Sequence, residues 1–331
     1  MPNPKKIRLV HSKSLDTCKN LAFEEYFMNT VKKDEWIVFW WQSKNAVVIG
    51  RNQNPYQECN LEMLKNDNVQ LVRRLSGGGA VYHDTGNINF SFIGMTDFFD
   101  IDKHFKVLIQ GLSTLGIKSK FTGRNDLTIN KRKFSGNAFI HDDERHLHHG
   151  TLLIDSDVTK IADYLNVDHK KLDTKGFDSV KSRVINLKEV VPNLSIKDIT
   201  DAVKSSLKDI TKAKIIQLDF SSIDNRVIKP YIDKYYSDLW NYGDTPSFSC
   251  EMEKRYKWGN IKLSFDIEDG VINKVLIETD ALEVKAFDKL SKSLKGIQLI
   301  PDKIYNKIIE SGFNKKIAND IYQIISINIF N

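Results

Sequence analysis

The chain of 331 residues is short of the features that mark several protein classes. It has three cysteines, Cys18, Cys59 and Cys250. Their number is odd and their spacing matches no zinc or redox motif, so a disulfide-built fold is excluded and reduced thiols are expected. No apolar run approaches the roughly 18–20 residues of a membrane span. The opening MPNPKKIRLVHS has two lysines but no apolar segment of about 7–15 residues and no small-residue cleavage site, so a cytoplasmic protein is expected. An excess of one charge is missing too. Lys and Arg number 49 against 43 Asp and Glu, a net +6, and the lysines are spread along the chain. A nucleic-acid binder would cluster them; a mild positive surface suits an anionic small molecule or an acidic protein partner. There is no repeat and no low-complexity segment.

What remains is an ordinary globular composition, 41% hydrophobic and 28% charged. The length suggests about two domains. Residues 16–33 read as a helix, with Asp16 or Thr17 as the cap and Leu21, Tyr26 and Met28 on its apolar face. WIVFWW (36–41), AVVIG (46–50), VQLVRRL and NINFSFI (87–93) read as strands, as do DLTIN, KFSGNAFI and HHGTLLID. ECNLEMLKND and DKHFKVLIQGLSTLG read as helices. Strand follows strand over short links, which predicts a mainly antiparallel α+β sheet rather than a βαβ series. Two helical stretches follow Pro192. The turn-rich NYGDTPS (241–247) reads as a domain boundary, after which a three-stranded meander turning at Gly259 and Gly270 precedes three helices.

Glycine is scarce, 17 in all, yet three stand together in RRLSGGGAVYHDTGNINFSFI (Arg73–Ile93). No Lys-Ser or Lys-Thr follows at Walker A spacing, and the pattern is not GxGxxG. Consecutive glycines let a backbone approach a ligand and turn N–H groups toward its oxygens. Arg73 and Arg74 offer fork-shaped donors to phosphate or carboxylate. A second cluster, GRNDLTINKRKFSGNAF (123–139), places Lys133 just past a polar hairpin tip, with Gly136 behind it. Two more are HHGTLLI (148–154) and KGFDSVKSRVINL (175–187). HDDERHLHH (141–149) has irregular spacing that reads as a solvated loop rather than a metal site. Trp36, Trp40 and Trp41 read as core or pocket lining.

These fragments, in this order and with these gaps, resemble the lipoate–protein ligase A family over about residues 7–245; the tail resembles that family's C-terminal accessory domain more loosely. The resemblance implies a biotin-ligase-like α+β catalytic domain, mainly antiparallel with flanking helices (1–245), and a small α+β accessory domain (246–331). It implies activation of lipoate with ATP and Mg2+ to lipoyl-AMP. The lipoyl group then passes to a lysine of a lipoyl domain of a 2-oxoacid dehydrogenase or of the glycine-cleavage H protein. A monomer that touches neither nucleic acid nor membrane is expected. By resemblance, Arg74 and Gly79, Ala80, Val81 and Tyr82 contact the adenylate, with Ser76, Gly77 and Gly78 in the same loop, and Lys133 contacts both lipoate and nucleotide as the catalytic cation. Asp126 is a candidate to hold magnesium or orient Lys133. His83, Gly136, His149 and Gly150, with Arg74 and Lys133, are candidates for the lipoate pocket. The alternative within the fold is a lipoyl- or octanoyl-transferase that takes a preformed acyl donor without ATP. A biotin ligase lacks support because its arginine- and glycine-rich loop is absent, and the presence of Lys133 and the glycine loop argues against a lipoyl-domain-binding protein that has lost activation.

Overall fold

Each long apolar stretch finds its place as a buried strand or a helix face in the computed structural model, which describes residues 1–122, 125–142, 144–165, 183–220, 223–243, 250–268 and 270–330. Most of KGFDSVKSRVINL and of NYGDTPS lies outside these residues. The described chain forms two compact units: residues 1–49, 55–73 and 80–241, and residues 50–54, 74–79 and 242–331.

The first unit is built on an eight-stranded sheet in the order β11-β1-β2-β6-β10-β9-β8-β7. Its strands are β1 (Lys6–His11), β2 (Glu35–Trp41), β6 (Asn87–Met95), β7 (Lys120–Thr122), β8 (Asp126–Ile129), β9 (Arg132–His141), β10 (Arg145–Leu153) and β11 (Lys214–Leu218). EWIVFWW shows no alternation because β2 is buried on both faces, as a central strand covered on each side must be. From β2 to β7 every pairing is antiparallel. The other edge differs: β1 runs parallel to both β2 and β11. The sheet is therefore antiparallel-rich with a parallel edge, made by two strands, KIRLVH and KIIQL, too short and too polar to stand out in the sequence.

One face of this sheet packs Trp36, Val38, Trp40, Phe90 and Phe92 against helices Ile101–Thr114 and Ile196–Thr211. Gly111 lets those helices cross closely, since a Cβ there would lie 3.0 Å from the Val203 backbone. Helix Thr17–Thr30 covers the opposite face. Asp16 caps it by accepting from the Lys19 N–H. A second sheet, β4-β3-β5, joins β3 (Asn45–Ile49), β4 (Gln70–Arg73) and β5 (Val81–Asp84).

The second unit has its own core. The meander β12 (Cys250–Tyr256), β13 (Gly259–Glu268) and β14 (Val271–Thr279) supplies Ile261, Leu263, Phe265 and Ile277. Helices Val284–Leu294, Pro301–Glu310 and Lys315–Ile325 pack Phe287, Leu290, Ile304 and Ile321 on them.

Candidate active site

Lys133 reaches its position through a hairpin and a bulge. The β8–β9 turn places Asn130 and Lys131 at φ 48° and 67°, the left-handed pair of a tight two-residue hairpin turn. Leu127 then pairs with Ser135, but Thr128 pairs with Lys133, so the register skips Phe134. This bulge lets Phe134 and Ser135 both bury, and returns Lys133 to the face opposite the aromatic core. On that face Lys133 Nζ lies 2.7 Å from Asp126 Oδ1. Both side chains remain more than a third exposed, so the pair steers geometry more than it stabilises the fold. Gly136 sits beneath the ammonium: a Cβ there would stand 3.0 Å from Nζ and 3.1 Å from Cε. The Gly136 N–H donates to Thr151 Oγ1 at 3.1 Å.

His149 and Gly150 follow on β10. His149 Nδ1 lies 2.9 Å from Glu24 Oε2, and Ser91 Oγ donates to Glu24 Oε1. Glu24 is 1% exposed. A carboxylate buried that deeply is held by its partners, and here both come from the site face of the large sheet. Nothing in helix Thr17–Thr30 marked Glu24 beforehand. Gly150 faces the other way, and a Cβ on it would meet Asn137 Oδ1 at 2.6 Å and Phe90 Cζ at 2.7 Å. His148, on that inner face, bonds Asn137 Oδ1 through Nε2 at 2.9 Å and stacks with His104. Burial holds both imidazoles well below the ordinary histidine range. HDDERHLHH is therefore only half a turn; its last residues are buried strand.

Val81, Tyr82 and His83 form β5, with Ala80 just before it. The Tyr82 hydroxyl donates to Asn45 Oδ1 at 3.0 Å, and burial with nearby Asp84 pushes its pKa up to about 12. The buried His83 ring meets Trp41 edge-on at 6.0 Å.

Arg74, Ser76, Gly77, Gly78 and Gly79 belong to the second unit. The loop wraps its own arginine: Arg74 Nη2 donates to the carbonyls of Gly77 (2.7 Å) and Gly79 (2.9 Å), and Nε to Ser76 Oγ (3.1 Å). Gly78, at φ 95°, donates its N–H to the Ala281 carbonyl at 3.1 Å. A Cβ on Gly77 would stand 2.1 Å from that oxygen, and one on Gly50 2.0 Å from the Gly78 carbonyl. Gly79 alone of the three faces open space. Two of the three glycines are thus required by chain packing and the third is not. Arg73, by contrast, belongs to the first unit, where its guanidinium donates to the carbonyls of Trp240 and Asn241.

Two of the three thiols are sealed from reaction, and burial also raises the third, the half-exposed Cys250. Burial pushes Cys18 and Cys59 up to about 12, and the Cys18 thiol donates to the Tyr235 carbonyl. No group of three or more metal-ligating side chains occurs among the described residues. No helix among them is long and apolar enough to cross a membrane.

An antiparallel-rich α+β unit with a lysine on a bulged hairpin strand, followed by a small α+β unit, defines a class. Residues 16–208 match the Lipoyl protein ligase A/B catalytic domain, and residues 245–325 match the Bacterial lipoate protein ligase C-terminus. The lipoate-protein ligase A of Blochmanniella floridana is 40% identical over 299 residues, 88% of each chain. The structure of P. falciparum LipL1 in complex with lipoate superposes with a TM-score of 0.85 at 27% identity, over 96% of this chain and 98% of that one. A bi-partite lipoate protein ligase from Thermoplasma acidophilum, described with its E2 lipoyl domain, gives a TM-score of 0.65 at 25% identity, over 74% of this chain and 99% of that one. The chain belongs to the lipoate–protein ligase A family.

Proposed function

We propose that Lys133 is the cation through which this enzyme joins lipoate to AMP before the lipoyl group passes to a protein lysine. The chain is an ATP-dependent lipoate–protein ligase. Lipoate and MgATP are its substrates. The first half-reaction drives a carboxylate against the α-phosphate, two anions that repel. A compact ammonium between them offsets that repulsion and stabilises the charge that grows as pyrophosphate leaves. The observation that carries this role is the seat of Lys133: a bulge turns it to the site face, Asp126 orients it, and Gly136 leaves room for it. Asp126 serves here as an orienting partner of the lysine.

The remaining roles follow the same chemistry. Gly79, Ala80, Val81 and Tyr82 with Arg74 take the adenylate; Ser76, Gly77 and Gly78 shape the loop that carries them. His83, Gly136 and His149 belong to the acyl side, where the Glu24–His149–Ser91 network supplies a polar patch within an apolar strand layer; Gly150, grouped with them from the sequence, faces the aromatic core instead and serves its packing. In the second half-reaction a neutral acceptor lysine attacks the acyl carbon and AMP leaves. No protein nucleophile is needed, and the buried, protonated cysteines fit that. The acceptor is a lipoyl domain, the class of partner described with the T. acidophilum ligase; we extend it to the glycine-cleavage H protein, with the enzyme acting as a cytoplasmic monomer. Exchange of labelled pyrophosphate into ATP tests the reading. Exchange that depends on lipoate is expected; its absence, together with normal transfer from supplied lipoyl-AMP, would instead identify a transferase.

A further inference from the structure

The turn between β9 and β10 brings two histidines face to face. The Asp142 N–H donates to the Arg145 carbonyl at 2.9 Å, which makes that pair a hydrogen-bonded rung of the ladder. His141 and His146 pair directly on the next rung. That rung is a non-hydrogen-bonded one, where Cα atoms stand only about 4.5 Å apart and side chains lie closest. Phe139 and His148 form the matching rung two residues further in, so the histidine pair shares their face, the one opposite Lys133. Both rings are steered together. His146 is half-buried and stacks on Phe99, with centroids 4.5 Å apart. His141 is exposed and lies across His146 at a centroid distance of 4.0 Å. Its Nδ1 stands 3.2 Å from His146 Nδ1 and 2.5 Å from His146 Nε2. A neutral imidazole has one acceptor nitrogen, and two acceptors approach this closely only around a positive centre, a metal ion or a proton.

We propose that His141 and His146 form a surface site for one divalent transition-metal ion of the zinc and copper class, held by two imidazoles with water completing its shell. A zinc–imidazole bond is about 2.0–2.1 Å, so two nitrogens on one ion, at angles from square to tetrahedral, stand about 2.9–3.4 Å apart. The Nδ1 pair already has that spacing, and the exposed His141 ring is able to turn to bring Nε2 of its partner into the same range. Imidazole suits zinc and copper, whereas magnesium takes oxygen ligands. Two protein ligands are fewer than the four of a structural zinc, so the ion exchanges and binds the folded chain rather than building it. It staples the tip of the hairpin whose strands carry Lys133 and His149, from the face opposite Lys133, and stays out of the reaction. The sequence hides the pair because the hairpin register, not a linear motif, sets its spacing.

The test uses the full untagged chain, stripped with EDTA, titrated with Zn2+ by calorimetry and with Cu2+ by electron paramagnetic resonance. His141→Ala removes the exposed ligand. His146→Phe removes the other and keeps a ring to stack on Phe99. The wild-type Cu2+ spectrum should show nitrogen couplings from two imidazoles, and each variant should lose that pattern. Each variant should bind Zn2+ at least about tenfold more weakly, since removing even an outer partner of a ligand costs about 10- to 100-fold. Zn2+ should raise the wild-type Tm by linkage and raise it less in the variants. Millimolar Mg2+ should leave Zn2+ bound. Lipoate-dependent pyrophosphate exchange, measured without Zn2+, should be unchanged in both variants. Wild-type affinity for Zn2+ in either folded variant overturns the proposal. So does a wild-type chain that takes up no Zn2+ here, the result a pair sharing a proton gives. A loss of exchange in the folded variants also contradicts it, because the pair would then serve the reaction itself.

Discussion

Gly136 has no side chain because Lys133 occupies the space where one would stand. The atom in the way is the mobile end of a lysine, so the fold tolerates Gly136→Ala while the ammonium is displaced. Pyrophosphate exchange by that variant should fall about tenfold or more, as misplaced catalytic groups do, with Tm almost unchanged. Gly150→Ala should do the reverse, because Asn137 and Phe90 cannot yield; a loss of about 1–3 kcal/mol in denaturant unfolding is expected from overpacking. The buried pair His104 and His148 sets a pH dependence. Both are held neutral below their ordinary range, so the unfolded chain binds their protons first as pH falls. Stability should be level above about pH 7 and decline once pH drops below the unfolded value near 6.5, by up to about 1.4 kcal/mol per pH unit for each imidazole. Urea midpoints at pH 7.5, 6.5 and 5.5 check this, and a midpoint that rises on acidification contradicts it.

The strands and helices were largely legible because most carry their period in plain view. WIVFWW, AVVIG, NINFSFI and the helix after Asp16 stand where the pattern puts them. Three things were not legible, each for a physical reason. The β1 and β11 edge is specified by long-range parallel pairing rather than by local alternation. The bulge at Phe134 breaks the period-two rule, so RKFSG alone does not reveal that Lys133 faces away from the core. Glu24 acquires meaning only from His149 and Ser91, 125 and 67 residues away. Lys133, Asp126 and Gly136 were legible because one hairpin holds all three. In the glycine loop the sequence shows three equal glycines, and the structure separates them. Gly77→Ala would drive a Cβ into the Ala281 carbonyl and should lower thermal stability. Gly79→Ala meets open space; it should leave Tm alone and weaken ATP binding, as titration calorimetry would detect. Equal effects of the two substitutions on both readouts would contradict this division.

The molecule as a whole divides its work between two units, and the glycine loop travels with the smaller one. Residues 50–54 and 74–79 are held by β14 and the residues after it: Thr279 N–H donates to the Asn52 carbonyl and Gly78 N–H to the Ala281 carbonyl. The sequence groups the glycine loop with residues 1–245, yet a chain without the tail loses these bonds. A chain ending at Asn241 should keep the large sheet's far-ultraviolet signature and lose amide protection at Gly78. It should lose both adenylation and transfer from supplied lipoyl-AMP, because the adenylate is held in both half-reactions, and undiminished binding of lipoyl-AMP would count against the assignment of the loop to the nucleotide. The central claim is that lipoate is activated on the Lys133 hairpin. Pyrophosphate exchange by wild-type and Lys133→Ala protein tests it most directly. The expected result is exchange that requires lipoate in the wild type and falls at least about 100-fold in a Lys133→Ala protein of unchanged Tm. Undiminished lipoate-dependent exchange by that folded variant would contradict the account.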